Sequence, residues 1–343
     1  MKAFVYHGET SFSMDEVAAP TAGKGEAVAK ILAASICGTD LRTFRFGSAK
    51  LAAPITVGHE ACYEITQVGN GVDLEVGGRY IIAPAIGCGG CKSCKKGRTN
   101  MCDTLQTIGF QYPGTFAEYI KIPAKAINGG YLIKVPDSVS DKAASVVEPV
   151  ACAINAQSFL NIEQGDNVVI YGAGYLGCIH AELAMMQGAS EVIIAEISEN
   201  RRSKAKQLVP SALIVDSGKQ GYMDEIRDIV GDMGVDVVIT ACPAGITHKQ
   251  GLELLYKNGR ISLFGGLPGE DNYHLDSNLI HYKELGVFGA HAGTVAQNKQ
   301  ALEAVESGKL DVAKYISAFA LGDIEKAFAA LIDETAEKAV VIP

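Results

Sequence analysis

Asn167-Val168-Val169-Ile170-Tyr171-Gly172-Ala173-Gly174-Tyr175-Leu176-Gly177 is the stretch that decides the fold. A buried-strand pattern runs straight into G-x-G-x-x-G, at the point where the chain must turn into a helix. Gly172 permits the tight turn, Gly174 lets backbone approach a pyrophosphate, and Gly177 lets the helix pack closely on the sheet. Leu176, Ile179, Leu183 and Met186 then share one helical face, and Gly188 is placed to cap it. Phosphates would sit at the positive N-terminus of that helix, against Gly172, Gly174, Tyr175, Leu176 and Gly177. A second strand ends at Glu196, about 20 residues on, where a carboxylate can accept both ribose hydroxyls and repel a 2′-phosphate. NAD is therefore expected over NADP. Arg201 and Arg202 follow closely, and Arg201 joins the cofactor candidates; a cation folding back onto a phosphate competes here with the commoner solvated helix face.

Outward from this point the same rhythm holds from about 153 to 288. Strand-like runs at Val192–Ala195, Val235–Thr240, Ile261–Phe264 and Leu285–Phe288 alternate with amphipathic segments, the signature of a doubly wound parallel sheet. Before it, short alternating runs broken by Gly and Pro (Lys2–Tyr6, Ala27–Ala34, Cys62–Val68, Tyr80–Ala83, Tyr119–Ile122) predict a compact β-rich domain. After Phe288 two helix-like patterns, Gln297–Ser307 and Ile324–Ile332, precede a strand at Lys338–Ile342. That tail is expected to return to the first domain.

The length of 343 residues favours two domains, since single cores stop growing well below it. A hydrophobic share of 48% with 20% charged residues fits a globular enzyme, and no apolar run approaches the roughly 18 residues of a membrane span. The first residues enter a strand pattern without the apolar core of a signal peptide, so a cytoplasmic address is expected. A net charge of −9 disfavours non-specific binding to nucleic acid or to an anionic membrane.

Nine cysteines would be odd as disulfides in a reducing cytosol. Cys88, Cys91, Cys94 and Cys102 are spaced C-x2-C-x2-C-x7-C in a Gly- and Lys-rich loop, which reads as a closed tetrahedral Zn²⁺ site, with Lys92, Lys95 and Lys96 offsetting its charge. Iron–sulfur ligation is the rival, and nothing else in the chain suggests an electron path. With every position filled by protein, such a metal is structural. Cys62, Cys152, Cys178 and Cys242 lie in apolar stretches and read as small buried hydrophobes.

Candidates for a second metal are Cys37 in Cys-Gly-Thr-Asp, His59 and Glu60 in Gly-His-Glu, and Glu148 in Glu-Pro. Each alone is weak. In this order, with the four-cysteine loop and G-x-G-x-x-G, they resemble the zinc-containing medium-chain dehydrogenase/reductase family over essentially the whole chain, and within it the sorbitol, threonine and related polyol dehydrogenases. The resemblance implies an α/β chain: a GroES-like β-rich catalytic domain (1–152, with both zinc sites), a Rossmann NAD-binding domain (153–288) and a return segment (289–343). It also implies two zinc ions per chain and NAD, with Cys37, His59 and a carboxylate, Glu60 or Glu148, holding the catalytic one. Thr39 matches the hydroxyl that passes the substrate proton outward, and Asp40 the partner that orients the histidine. Zinc with an open position lowers the pKa of a bound hydroxyl from about 16 to about 7, which permits hydride transfer from an alcohol at neutral pH. A homo-oligomer, tetramer or dimer, is what the resemblance implies.

There are departures. Tyr63 stands where the family places Gly after Gly-His-Glu, and Phe288-Gly289-Ala290-His291 lacks the Arg-Tyr pair of sorbitol dehydrogenases. Arg42 and Arg45 follow Cys37 closely, so an anionic substrate group met by either, with His291 opposite, is one expectation; a solvated loop edge is the other. Two further readings compete with a zinc alcohol dehydrogenase. An NADP-dependent quinone or enone reductase on the same fold would need no catalytic metal, against the presence of Cys37, His59, Glu60 and Glu148. A non-catalytic NAD-sensing protein is not excluded by fold alone.

Overall fold

The computed structural model describes residues 1–267 and 275–343. They divide into two compact units, Met1–Ala151 with Ala292–Pro343, and Cys152–His291.

In the second unit six strands form one all-parallel sheet. From edge to edge they are Leu213–Asp216, Val192–Glu196, Val168–Tyr171, Val235–Thr240, Leu255–Leu263 and Gly286–Gly289. In chain order this reads 3-2-1-4-5-6, so the order reverses between Val168–Tyr171 and Val235–Thr240. A crevice opens at such a switch point, beyond the carboxyl ends of the strands. Val168, Val169, Ile170 and Tyr171 are all buried, as a strand covered on both faces requires. The strand Leu213–Asp216 was not visible in the sequence: it is short, half-exposed and at the sheet edge. The helix after the glycine motif spans Tyr175–Met186 and buries Ile179 and Leu183, while Met186 at its end is exposed rather than part of the apolar face. Gly188 takes φ +94° just beyond it, as a helix stop needs.

In the first unit a seven-stranded sheet runs Leu132–Lys134, Arg79–Ile82, Glu60–Val68, Ala27–Ser35, Lys338–Ile342, Ile316–Ala320, with Tyr119–Ile122 also paired to Ala27–Ser35. The C-terminal strand is therefore a central element, antiparallel to Ala27–Ser35 and parallel to Ile316–Ala320. Ser35 faces Glu60 on one side and Val340 on the other. The first unit's core gathers Phe4, Phe116 and Phe328, and Phe44 stacks on Phe328 with ring centroids 4.4 Å apart. That contact pins the helix Gly38–Phe46 to the helix Ile324–Ile332 and so fixes the backbone that begins at Cys37. A fully buried aromatic such as Phe328 contributes about 1.5–3 kcal/mol through burial.

Cys62 and Cys178 are buried, whereas Cys152 and Cys242 are partly exposed, so the small-hydrophobe reading fits only the first pair fully. Among the described residues no helix is long and apolar enough to cross a membrane.

Candidate metal centres and cofactor cradle

Cys88, Cys91, Cys94 and Cys102 all offer sulfurs within 4.8 Å of one another, and none is in a disulfide. The loop folds so that amides point at sulfur: Cys88 N–H donates to Cys102 Sγ at 3.1 Å and Cys91 N–H to Cys88 Sγ at 3.3 Å. Amides at Gly90 and Cys91, with help from Cys102, pull the Cys88 thiol down to about 6. Those of Cys94 and Asp103 lower Cys91, and burial pushes Cys94 up to about 11. A side chain at Gly87 would meet Cys94 Sγ at 2.7 Å, so glycine lets the loop close over the sulfurs. Four sulfurs with amide donors on their thiolates suit a closed tetrahedral zinc site.

Cys37, His59 and Glu60 form the second group, again with one donor atom each within 4.8 Å of the others. Cys37 is the N-cap of the helix Gly38–Phe46; its sulfur accepts from Thr39 N–H at 3.4 Å while Asp40 Oδ2 accepts from Cys37 N–H at 3.0 Å. Asp40 Oδ1 lies 3.8 Å from His59 Nδ1, so one carboxylate closes the cap and faces the imidazole. Gly58, at φ +92°, sets the turn before His59, and a Cβ there would meet Thr115 Oγ1 at 2.6 Å. The ring of Phe110 lies 6.1 Å from that of His59 and makes an apolar wall.

Burial pulls the His59 pKa down, but the charge on Cys37, then on Asp40 and Glu148, outweighs it and holds His59 well above its ordinary range. Burial likewise raises Asp40, against the attraction of His59. Cys37, Asp40 and Glu148 thus all act on one imidazole. His59 Nδ1 and Glu60 Oε1 are buried without hydrogen-bond partners. Soft sulfur, imidazole and carboxylate with unmet polar atoms are the donor set of a zinc site with an open position.

Glu148, in the first turn of the helix Val147–Gln157, is buried and close enough to act on His59, yet is not one of the three clustered groups. Tyr63, in the family's glycine position, is buried in the first unit's core, where burial raises its phenol. Arg42 and Arg45 point outward on the helix whose inner face carries Asp40 and Thr43, and Arg45 lies over the Phe46 ring. His291 is exposed, and its carbonyl accepts from Asn155 Nδ2 at 3.3 Å. None of these three joins the Cys37 group.

In the second unit the glycine motif has the geometry its spacing implies. Gly172 has φ +104°, a Cβ on Gly177 would fall 1.9 Å from Gly172 O, and one on Gly174 would meet nothing within 4 Å. Gly174 caps Tyr175–Met186 without a side-chain hydrogen bond, leaving the helix N-terminus to an anion. Tyr175 is buried and Leu176 half-buried at that end. Glu196 accepts from Ala173 N–H at 2.8 Å through Oε2 and from Ser198 N–H at 2.9 Å through Oε1, which fixes the carboxylate beside the cradle. Arg202 is spent on the carbonyls of Glu196 and Ile197 and on Asp216, 2.9 Å away. Arg201 lies close enough to Cys242 to act on its thiol.

Comparison with known proteins agrees with this arrangement. The model of the alcohol dehydrogenase GroES-like domain matches residues 23–137, and that of the zinc-binding dehydrogenase matches 176–307. L-threonine 3-dehydrogenase of Pyrococcus furiosus is 34% identical over 302 residues, 87% of this chain and 84% of that protein. Sorbitol dehydrogenase of Halalkalibacterium halodurans is 29% identical over 100% of this chain and 99% of its own. A zinc-binding dehydrogenase of Sinorhizobium meliloti 1021, solved bound to NADP, superposes with a TM-score of 0.91 at 28% identity, covering 100% of this chain and 99% of that one.

Proposed function

The chain belongs to the zinc-dependent medium-chain dehydrogenase/reductase family and is an enzyme, an alcohol or polyol oxidoreductase; from that premise we propose that it oxidises a polar secondary alcohol with NAD at the Cys37–His59–Glu60 site. The observation that carries the reading is the gathering of those three donors, with His59 and Glu60 buried and Glu60 Oε1 without a hydrogen-bond partner. Zinc held there supplies Lewis acidity, which makes a substrate hydroxyl easier to deprotonate at neutral pH.

The chain's own residues do the rest. Asp40 orients His59 from the side of Nδ1. Thr39, in the first turn of the helix that Cys37 caps, offers the hydroxyl that relays the substrate proton outward. Glu60 completes the donor set, and Glu148 adds charge close by. Phe110 sets an apolar ring beside the His59 imidazole. The helix N-terminus at Gly174–Gly177 takes the cofactor phosphates, and Glu196 takes the ribose hydroxyls. The fixed carboxylate of Glu196 and the engagement of Arg202 with Asp216 support NAD over NADP, although the Sinorhizobium relative binds NADP.

L-Threonine and sorbitol, named by the relatives, each carry a secondary hydroxyl beside a second polar group. That chemistry defines the substrate class proposed here. The outward position of Arg42 and Arg45 favours a neutral or zwitterionic substrate over one anchored by those cations. A cytoplasmic homo-oligomer is part of the same reading; the edge strand Gly286–Gly289 and the exposed Tyr282 support self-association alone. The test is reduction of NAD and NADP over a panel of polyols, 3-hydroxy amino acids, sugar phosphates and simple secondary alcohols. Turnover with NAD on a vicinal diol or hydroxy amino acid is expected. Reduction of enones with NADPH and no alcohol activity would overturn the proposal.

A further inference from the structure

A buried cation stands behind the Cys37 group. Lys338, in the strand Lys338–Ile342, is 4% exposed, and its Nζ donates to Glu60 Oε2 at 2.6 Å and to the carbonyl of Ile36 at 2.8 Å. Ile36 precedes Cys37, and Glu60 follows His59. One ammonium thus ties the backbone beside one donor to the side chain of another, and it comes from a third strand. The sheet register makes this possible: Ser35 faces both Glu60 and Val340, and Ile36 N–H donates to Ala339 O at 3.0 Å. Ser35 Oγ also donates to Glu60 Oε2. Both side-chain bonds therefore fall on the same carboxylate oxygen. Oε1 is left buried with no hydrogen-bond partner, an unfavourable state unless a cation or donor meets it.

We infer that Lys338 is the positioning residue of this site: with Ser35 it holds Glu60 by Oε2, so that Oε1 alone is presented to the metal, and it ties the two strand ends that carry the donors. The inference rests on the zinc reading above and deepens it. Lys338 touches neither substrate nor cofactor in this account. It acts through Glu60, as partners of metal ligands commonly do, where loss costs about 10–100-fold in metal affinity or activity.

The experiment replaces the Cys37-site metal with cobalt(II) in the full-length protein and reads the visible absorption and the metal affinity by competition with a chelator. Lys338→Met should keep the four-cysteine zinc, shift the cobalt bands, weaken cobalt about 10–100-fold, and lower kcat with KM for the alcohol changed less than about twofold. Lys338→Arg should restore most of the affinity and the parent spectrum. Ser35→Ala should move the spectrum in the same direction by less; if Lys338→Met does not fold, this variant decides the matter. A parent-like spectrum and affinity in Lys338→Met, or in Ser35→Ala when Lys338→Met does not fold, would show an ordinary buried ion pair and overturn the inference, whatever happens to thermal stability. Failure of the unmutated protein to take cobalt at this site would instead sink the zinc reading itself.

Discussion

The two donor clusters differ in how the chain builds them. The four cysteines lie inside the segment 88–102, where a tight loop and its own amides bring the sulfurs together. Cys37, His59 and Glu60 instead come from a helix cap and the start of a strand, and Lys338 braces them from the far end of the sequence. The first site is built by its own loop from four protein ligands, while the second is assembled by the surrounding sheet from three. A closed set stabilises; an open one can admit substrate.

Substitutions at the two clusters should differ first in their effect on turnover. Cys37→Ala or His59→Ala should lower kcat by about 10³-fold or more, because several kcal/mol of charge stabilisation is lost, yet leave a folded chain by circular dichroism. Asp40→Asn should cost about 10–100-fold in kcat, as for partners that orient a ligand, with the nicotinamide affinity measured by fluorescence titration unchanged. Glu196 belongs to neither donor cluster. Glu196→Ala should narrow the ratio of kcat/KM for NAD over NADP by about 1–2 kcal/mol, as for loss of a charge-assisted hydrogen bond. Cys91→Ala should change kcat at room temperature by less than about twofold. Its expected signature is a lower melting temperature, on the order of 10 °C for a loss of about 3 kcal/mol.

The same contrast explains what could be read before the structure. The cysteine loop and the glycine motif are legible because their geometry is written in short spacings: a Cβ on Gly177 would strike Gly172 O, and no other residue fits. Strands such as Tyr119–Ile122 and Val235–Thr240 are legible because their burial pattern matches their sequence pattern. Leu213–Asp216 escaped because an edge strand with an exposed Leu213 lacks that pattern. The Cys37, His59 and Glu60 roles rested on family resemblance, since nothing in their spacing dictates that they meet. Whether Glu60 or Glu148 stands with them depends on tertiary packing, and Glu60 is the one gathered into the trio. Lys338 and Ser35 gave no sequence signal, because their meeting at Glu60 follows from strand order and register. Phe110 was missed for a similar reason, lying in a loop with no periodicity.

The central claim is that one chain holds two zinc ions with unequal roles. Metal analysis of the purified protein beside its His59→Ala and Cys91→Ala variants tests it most directly. The account predicts about two zinc ions per chain in the parent and about one in each variant, with turnover lost only in His59→Ala. A single zinc in the parent, or equal loss of activity in both variants, would contradict it.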